Sequence, residues 1–237
     1  MTDIVKAIAK ENEYLSYRMK GEEPFHLVDV IKEYGFESLH DYYEAKKKYQ
    51  FSTLNFEVIE TTPANAITEV LNVISQKKTA VLFANTEHTI VWNGDGSQLN
   101  ESYCKDCDIP IYPLYTSGGT IVSTLGDLNI GICVPDNYMS GANYFLDNLA
   151  CIFRKYTDKS VEVVGNDVLV DGYKVLGAST YHTNGMFMFI TPVSLSEKSK
   201  LIQNICLKHS EKIPNHIDFM DGATLKLEVE KWLGILF

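Results

Sequence analysis

Hydrophobic and polar positions change rhythm along this chain. In the first fifty residues the spacing is helical, with Ile4, Val5, Ile8 and Ala9 recurring on one side. A second short segment runs from Phe25 to Tyr34, and Gly35 can end it in a left-handed conformation. Ser38 precedes Asp41 by three residues, the spacing of a capping box with Asp in place of Glu or Gln. The helix it opens puts Leu39, Tyr42, Tyr43 and Tyr49 on one face. That face either docks onto the rest of the chain or forms a binding surface.

From residue 53 short apolar runs alternate with amphipathic ones. Thr62-Pro63 places a capping residue before a proline at the first helical position, and the helix that follows aligns Ile67, Val70, Leu71 and Ile74. Two strand-like runs come next, TAVLFA (79–84) and HTIVW (88–92), joined by a tight connection at Asn85-Thr86-Glu87. Asn93-Gly-Asp-Gly96 interrupts the pattern, and a polar helical stretch runs to Asp108. IPIYPLY, GTIVS and LNIGICV read as strands. A helix over about 140–156 turns Tyr144, Phe145, Leu149 and Ile152 inward. A meander of short strands follows, with turns at Gly165-Asn166 and Asp171-Gly172. Two helices, near 194–209 and 222–235, close the chain. Helices scattered among hairpins predict an α+β fold with a mixed, mostly antiparallel sheet flanked by helices. The boundary falls between a helical N-terminal extension (1–52) and a main domain (53–237).

Composition narrows the function classes. The 237 residues carry a formal charge of −10, with no basic run longer than Lys46–Lys48. A nucleic-acid binder needs a clustered basic face to neutralise phosphates, so no nucleic-acid partner is expected. No stretch reaches the roughly 18 apolar residues of a membrane span, and the charged N-terminus lacks a signal-peptide core. The expectation is a cytoplasmic protein without a membrane partner. Five cysteines, an odd number, point to free thiols. The lone Cys104-Lys-Asp-Cys107 has no second ligand pair for zinc and reads as small residues on a helix or loop.

Two stretches carry candidate chemistry. Around Thr116-Ser-Gly-Gly-Thr120, the paired glycines Gly118 and Gly119 either bend a hairpin or let backbone amides approach a phosphate or carboxylate. The second stretch, Gly165 to Ser179, reads as a hairpin turning at Asp171-Gly172. Asn166, Asp167 and Lys174 gather near one end of it. Lys174 is either an exposed sheet lysine or a compact positive charge for a carboxylate and a phosphate.

NDVLVDGYKVLG (166–177) is similar, without gaps, to a segment of the biotin/lipoate A/B protein ligase family that reads roughly NDLLVDGKKISG. Ser117-Gly-Gly119, followed by Leu125-Gly126 and Leu128-Asn129, resembles the family's glycine triplet and the LGxLN segment after it. Helix 63–76 and the 79–92 strands fall where the family has its first long helix and its substrate-cradling hairpin. The resemblance covers about residues 54–210. It implies the fold shared by biotin and lipoate ligases and class II aminoacyl-tRNA synthetases. It also implies ATP-dependent activation of lipoate or a related acid, and transfer to a lysine of a lipoyl or biotinyl carrier domain. By the same resemblance Lys174 is the catalytic residue, bridging the substrate carboxylate and the α-phosphate. Ser117, Gly118, Gly119, Thr120, Asn166, Asp167 and Gly177 would bind substrate and nucleotide, and Asp167 would hold magnesium.

The chain departs from that pattern at named positions. The family has arginines where this sequence has Pro113, Leu114 and Gly165, a His-Asp pair at Ser123-Thr124, and a glycine at Ser117. Arg18 and Arg154 are the only arginines of the chain, and neither lies in a motif. Three readings follow: a divergent ligase, a non-catalytic acyl- or carboxylate-binding protein on the same fold, and an interaction protein using the tyrosine-rich helices.

Overall fold

In the computed structural model, residues 3–22, 25–93, 99–113, 120–136, 142–207 and 216–236 are described. The chain divides into two compact units, Met1–Leu54 and Asn55–Phe237.

The first unit holds three helices: α1 (Ile4–Met19), α2 (Leu27–Glu33) and α3 (Leu39–Ser52). The Asp3 side chain caps α1 by accepting from the Lys6 amide at 3.2 Å. Ser38 caps α3, accepting from the Asp41 amide at 3.1 Å, as its spacing predicts. Asp41 does not reach back to the Ser38 backbone as a full capping box would; its carboxylate accepts from the Ser38 hydroxyl at 2.7 Å. Gly35 takes the left-handed conformation (φ 87°) that ends α2. Ala7, Ile31, Phe36 and Tyr42 form the core of this unit. The buried Glu11 carboxylate is satisfied by the Tyr42 hydroxyl at 2.6 Å and by the Lys46 ammonium. The expected tyrosine face is therefore divided. Tyr42 is wholly buried within this unit, whereas Tyr43 and Tyr49 are exposed.

The second unit is built on an eight-stranded sheet of β1 (Glu57–Thr61), β2 (Ala80–Asn85), β6 (Leu128–Pro135), β7 (Val161–Val164), β8 (Asp167–Val170), β9 (Tyr173–Gly177), β10 (Ser179–Thr183) and β11 (Met186–Val193). Their order is β1-β2-β6-β11-β9-β8-β7, with β10 also paired to β11. Among the described residues, only β1 and β2 run parallel in this sheet. A smaller sheet has the order β4-β3-β5, from β3 (Ile90–Asn93), β4 (Ile111–Pro113) and β5 (Ile121–Ser123). The mixed, mostly antiparallel sheet is the one the hydrophobic pattern predicts. One detail differs: β2 and β3 do not form a hairpin. The segment after Asn85 carries β3 into the small sheet, while β2 pairs with β1 and β6.

The two faces of β11 show how the layers assemble. Alternation puts Phe187 and Phe189 on one side, where Phe145 of α6 (Asn143–Arg154) stacks on them at 5.9 and 4.9 Å. Trp232 of α8 (Gly222–Trp232) meets Phe145 edge-on from the same side. Met186 and Met188 face the other way and pack with Leu82 and Cys133 against Val70, Val73 and Ile74 of α4 (Pro63–Ser75). The small sheet is covered by α5 (Glu101–Asp106) and α7 (Ser199–Ile205) through Val91, Cys104, Val122, Ile205 and Cys206. Among the described residues, no helix is long and apolar enough to cross a membrane.

All five cysteines are free. Cys104, on α5, is buried, and Cys107 is exposed at the end of that helix. Cys151 lies on the apolar helix α6 yet faces outward. Burial pushes the Cys133 thiol up to about 12. Alkylation of the native protein is accordingly expected to modify Cys107 and Cys151 and to spare Cys104, Cys133 and Cys206. Peptide mass spectrometry reads the pattern, and labelling of Cys133 before unfolding would contradict the packing.

Candidate functional site

The β7–β8–β9 ribbon positions the lysine singled out from the sequence. Gly165 (φ 61°) opens the first turn, and Asp171 and Gly172 (φ 50° and 79°) form the second, both residues left-handed as a type I′ turn requires. Pairing runs Asp167↔Gly177 and Val168↔Leu176, then slips to Leu169↔Lys174 and Val170↔Tyr173. Val175 is the extra residue of this β-bulge. Regular alternation would put Lys174 on the face opposite Gly177, three residues away. The bulge turns it onto the same face, and the consecutive burial of Val175 and Leu176 marks the irregularity.

Lys174, Asp167 and Gly177 consequently form one cluster. Lys174 Nζ lies 2.7 Å from Asp167 Oδ1, with both side chains about one-third exposed (32% and 33%). Gly177 leaves the space they fill. A Cβ there would stand 2.6 Å from Lys174 Nζ, 2.8 Å from its Cε and 2.9 Å from Asp167 Oδ1. The Gly177 carbonyl accepts from Thr191 Oγ1 at 3.3 Å, and the Asn166 carbonyl accepts from the Ala178 amide at 2.7 Å. Asn166 thus anchors the hairpin end through its backbone.

A cavity of about 100 Å³ opens on the α4 side of the sheet. Ile67, Val70, Leu71 and Ile74, the stripe predicted for this helix, form one wall. Leu82, Ile130, Gly131, Met188, Ile190 and Pro192 form the sheet wall, and Trp92, Ile121 and Tyr181 complete the lining. The side-chain amide of Asn129, one of the polar groups of this lining, is already engaged. Its Oδ1 accepts from Ser123 Oγ at 3.1 Å, and its Nδ2 donates to Thr86 Oγ1 at 3.0 Å and to the Ala84 carbonyl at 3.3 Å. The cavity and the lysine cluster adjoin through β9–β11. Ile190 pairs with Ser179, two residues beyond Gly177, a step of roughly 7 Å along a strand.

Other expected site residues fall elsewhere. Ser117, Gly118 and Gly119 lie outside the described residues. Thr120 donates to Asn93 Oδ1 at 3.1 Å and precedes the cavity residue Ile121, at the small sheet rather than in the lysine cluster. Arg154 gives its guanidinium to the Val161 carbonyl, at 2.7 and 3.2 Å, and Arg18 belongs to the first unit. No group of three or more His, Cys, Asp or Glu side chains converges as a metal site among the described residues. Magnesium takes a near-octahedral oxygen shell. Asp167 offers one carboxylate, and that carboxylate already holds Lys174. These side chains alone do not complete a magnesium shell; a bound ion would draw the rest of it from water and substrate phosphates.

One polar centre escaped the sequence reading. Asp127, the last residue of the β5–β6 turn, is fully buried. Its Oδ1 accepts from the Leu195 and Ser196 amides (2.9 and 3.2 Å) and from Ser196 Oγ (3.0 Å). Its Oδ2 accepts from the Thr124 amide at 2.9 Å and from the Lys198 ammonium. Burial pushes Lys198 below the usual lysine range, against the pull of Asp127. The network fastens the 194–198 segment to the turn that leads into β6.

The profile of the lipoyl protein ligase A/B catalytic domain matches residues 61–218. No curated protein is similar enough in sequence to count as a relative. Among solved structures the chain is similar to Plasmodium falciparum LipL1 in complex with lipoate, with 10% identity and a TM-score of 0.62 over 75% of this chain and 62% of that one. It therefore spans less than two-thirds of the LipL1 chain. It is also similar to a bi-partite lipoate protein ligase of Thermoplasma acidophilum, studied with its E2 lipoyl domain (15% identity, TM-score 0.60, 76% and 84% covered). A third similar structure is a lipoate-protein ligase A bound with ATP (12% identity, TM-score 0.60, 75% and 83% covered). At such identities the structural likeness is one of fold, whereas the profile match spans most of the sequence: this chain belongs to the lipoyl protein ligase A/B catalytic domain family.

Proposed function

We propose that this chain is a lipoate-protein-ligase-like enzyme that binds lipoate or a related medium-chain acid. In this reading the acid is activated with ATP and its acyl group passed to a lysine of a lipoyl-type carrier domain. The observation that carries it is the apolar cavity beside the bulged strand that presents Lys174. An acid with an apolar tail fits that division. The tail lies against α4, β6 and β11, and the carboxylate meets the ammonium over Gly177. One carboxylate oxygen attacks the α-phosphorus of ATP and pyrophosphate leaves. The carrier amine then attacks the acyl carbon, AMP departs and the amine loses a proton. Lys174 supplies positive charge where negative charge accumulates, and positions both reactants. The ATP-bound and lipoate-bound family structures, and the one studied with a lipoyl domain, support this sequence of events.

Cavity chemistry favours lipoate or octanoate over biotin. A ureido ring needs hydrogen-bonding partners, whereas the cavity wall is almost wholly apolar and the Asn129 amide is engaged by Ser123, Thr86 and Ala84. A polar group buried without partners is rejected strongly. The test is incubation with ATP, magnesium and lipoate, octanoate or biotin, followed by mass spectrometry. Acyl-adenylate and pyrophosphate are expected with the first two acids and not with biotin. A second reading, acid binding without adenylation, draws on the engagement of Arg154 by the Val161 carbonyl and the absence of any other arginine from this unit. Acid binding with no pyrophosphate would select it.

Gly177→Ala tests the lysine's seat. The added methyl occupies the place of the ammonium, so octanoate affinity is expected to fall about tenfold, the scale of one charge-assisted hydrogen bond. Isothermal titration reads it. Unchanged affinity would mean that Lys174 binds nothing from that position.

A further inference from the structure

Resting on the acid-binding reading above, we infer that Asp167 is the positioning counter-ion of Lys174, an internal carboxylate with which the incoming acid competes, and not a stand-alone metal site. The geometry holds the pair from three sides. Asp167 faces Gly177 across the β8–β9 register, the bulge turns Lys174 onto that face, and the bare backbone at 177 leaves room for the lysine to lie flat. The ammonium ends 2.7 Å from Asp167 Oδ1. A lysine on a flexible four-carbon stem is thereby fixed before any substrate arrives.

The same arrangement disfavours a cation and taxes an acid. Without substrate phosphates to share its shell, a divalent ion at Asp167 would stand beside an ammonium, like charge against like, with no group of three acidic, imidazole or thiol side chains to hold it among the described residues. An incoming carboxylate meets an ammonium that already has a partner. Lysine has three donors and can serve two carboxylates, but the two anions then repel one another across a few ångströms. Asp167 therefore orients Lys174 and weakens its hold on substrate. Asparagine keeps the oxygen that receives the ammonium and removes the charge.

Titration calorimetry on the full chain tests this, with sodium octanoate and magnesium chloride as separate titrants and with wild type, Asp167→Asn and Lys174→Met. Asp167→Asn is expected to bind octanoate about three- to tenfold more tightly than wild type, the scale of one like-charge contact screened by water. Magnesium alone is expected to bind none of the three. Equal or weaker octanoate binding by Asp167→Asn would overturn the inference, as would magnesium binding that the substitution abolishes. If no form binds octanoate, the acid-binding reading fails by itself. The role of Asp167 is then read from the Lys174 ammonium resonance in nitrogen-15 spectra, assigned by its loss in Lys174→Met. Movement of that resonance on Asp167→Asn, with none on adding magnesium to wild type, supports the pairing; an unmoved resonance refutes it. Should Asp167→Asn not fold, Asp167→Ser carries the same comparisons.

Discussion

Lys174→Met is expected to weaken octanoate binding about 10- to 100-fold, the equivalent of the ~1.5–3 kcal/mol of a charged hydrogen bond, and to abolish acyl-adenylate formation. Methionine preserves much of the aliphatic stem over Gly177 and removes only the charge. Both members of the pair are one-third exposed, and ion pairs so placed contribute ~0–1 kcal/mol to stability. Loss of function should thus come without loss of fold. Arginine is not a substitute, because the larger guanidinium must fit where Gly177 leaves so little space. Calorimetry and mass spectrometry give the two readouts. A Lys174→Met protein that still forms adenylate would remove the lysine from the mechanism.

The second large effect concerns stability. Asp127→Ala leaves the buried Lys198 ammonium without its partner and deprives the Leu195, Ser196 and Thr124 amides of their acceptor. Breaking a buried ion pair from one side costs about 3–5 kcal/mol, and that loss is expected here in urea unfolding. The double variant Asp127→Ala/Lys198→Met should be less destabilised than Asp127→Ala alone, because no unpaired charge then remains buried. Trp92 and Trp232 are the two tryptophans and both belong to the second unit, so their fluorescence reports that unit. A loss below 1 kcal/mol in Asp127→Ala would show that the network is incidental.

Much of the fold was legible because its signals are local. The β8–β9 hairpin follows from alternating valines and an Asp-Gly pair suited to a type I′ turn, and α4 from a proline start and an apolar stripe. The stripe then proved to be a cavity wall as well as a packing face, a distinction that spacing cannot draw. Pairing partners were less legible. β2 and β3 are both almost wholly buried, so no polar face indicates which sheet each joins, and a short polar link between two apolar runs looks like a hairpin. Cys151, next to the buried Ala150, turns to the solvent side of α6, although the helix around it is apolar.

The lysine cluster was legible in its residues and not in its geometry. Lys174, Asp167 and Gly177 stand out by resemblance, but their meeting depends on a bulge that the sequence does not announce, since Tyr173 to Gly177 reads as an ordinary strand. Asp127 and Lys198 are 71 positions apart. Each sits in a polar stretch that looks like surface, and only tertiary closure makes them partners.

A crystal structure of the protein with octanoate tests the central claim most directly. The account predicts the carboxylate within hydrogen-bonding reach of Lys174 Nζ, above Gly177, and the tail between Val70 and Ile74 of α4 and Gly131, Met188 and Ile190 of the sheet. An acid bound elsewhere, or a Lys174 ammonium turned into bulk water beside a bound acid, would contradict it.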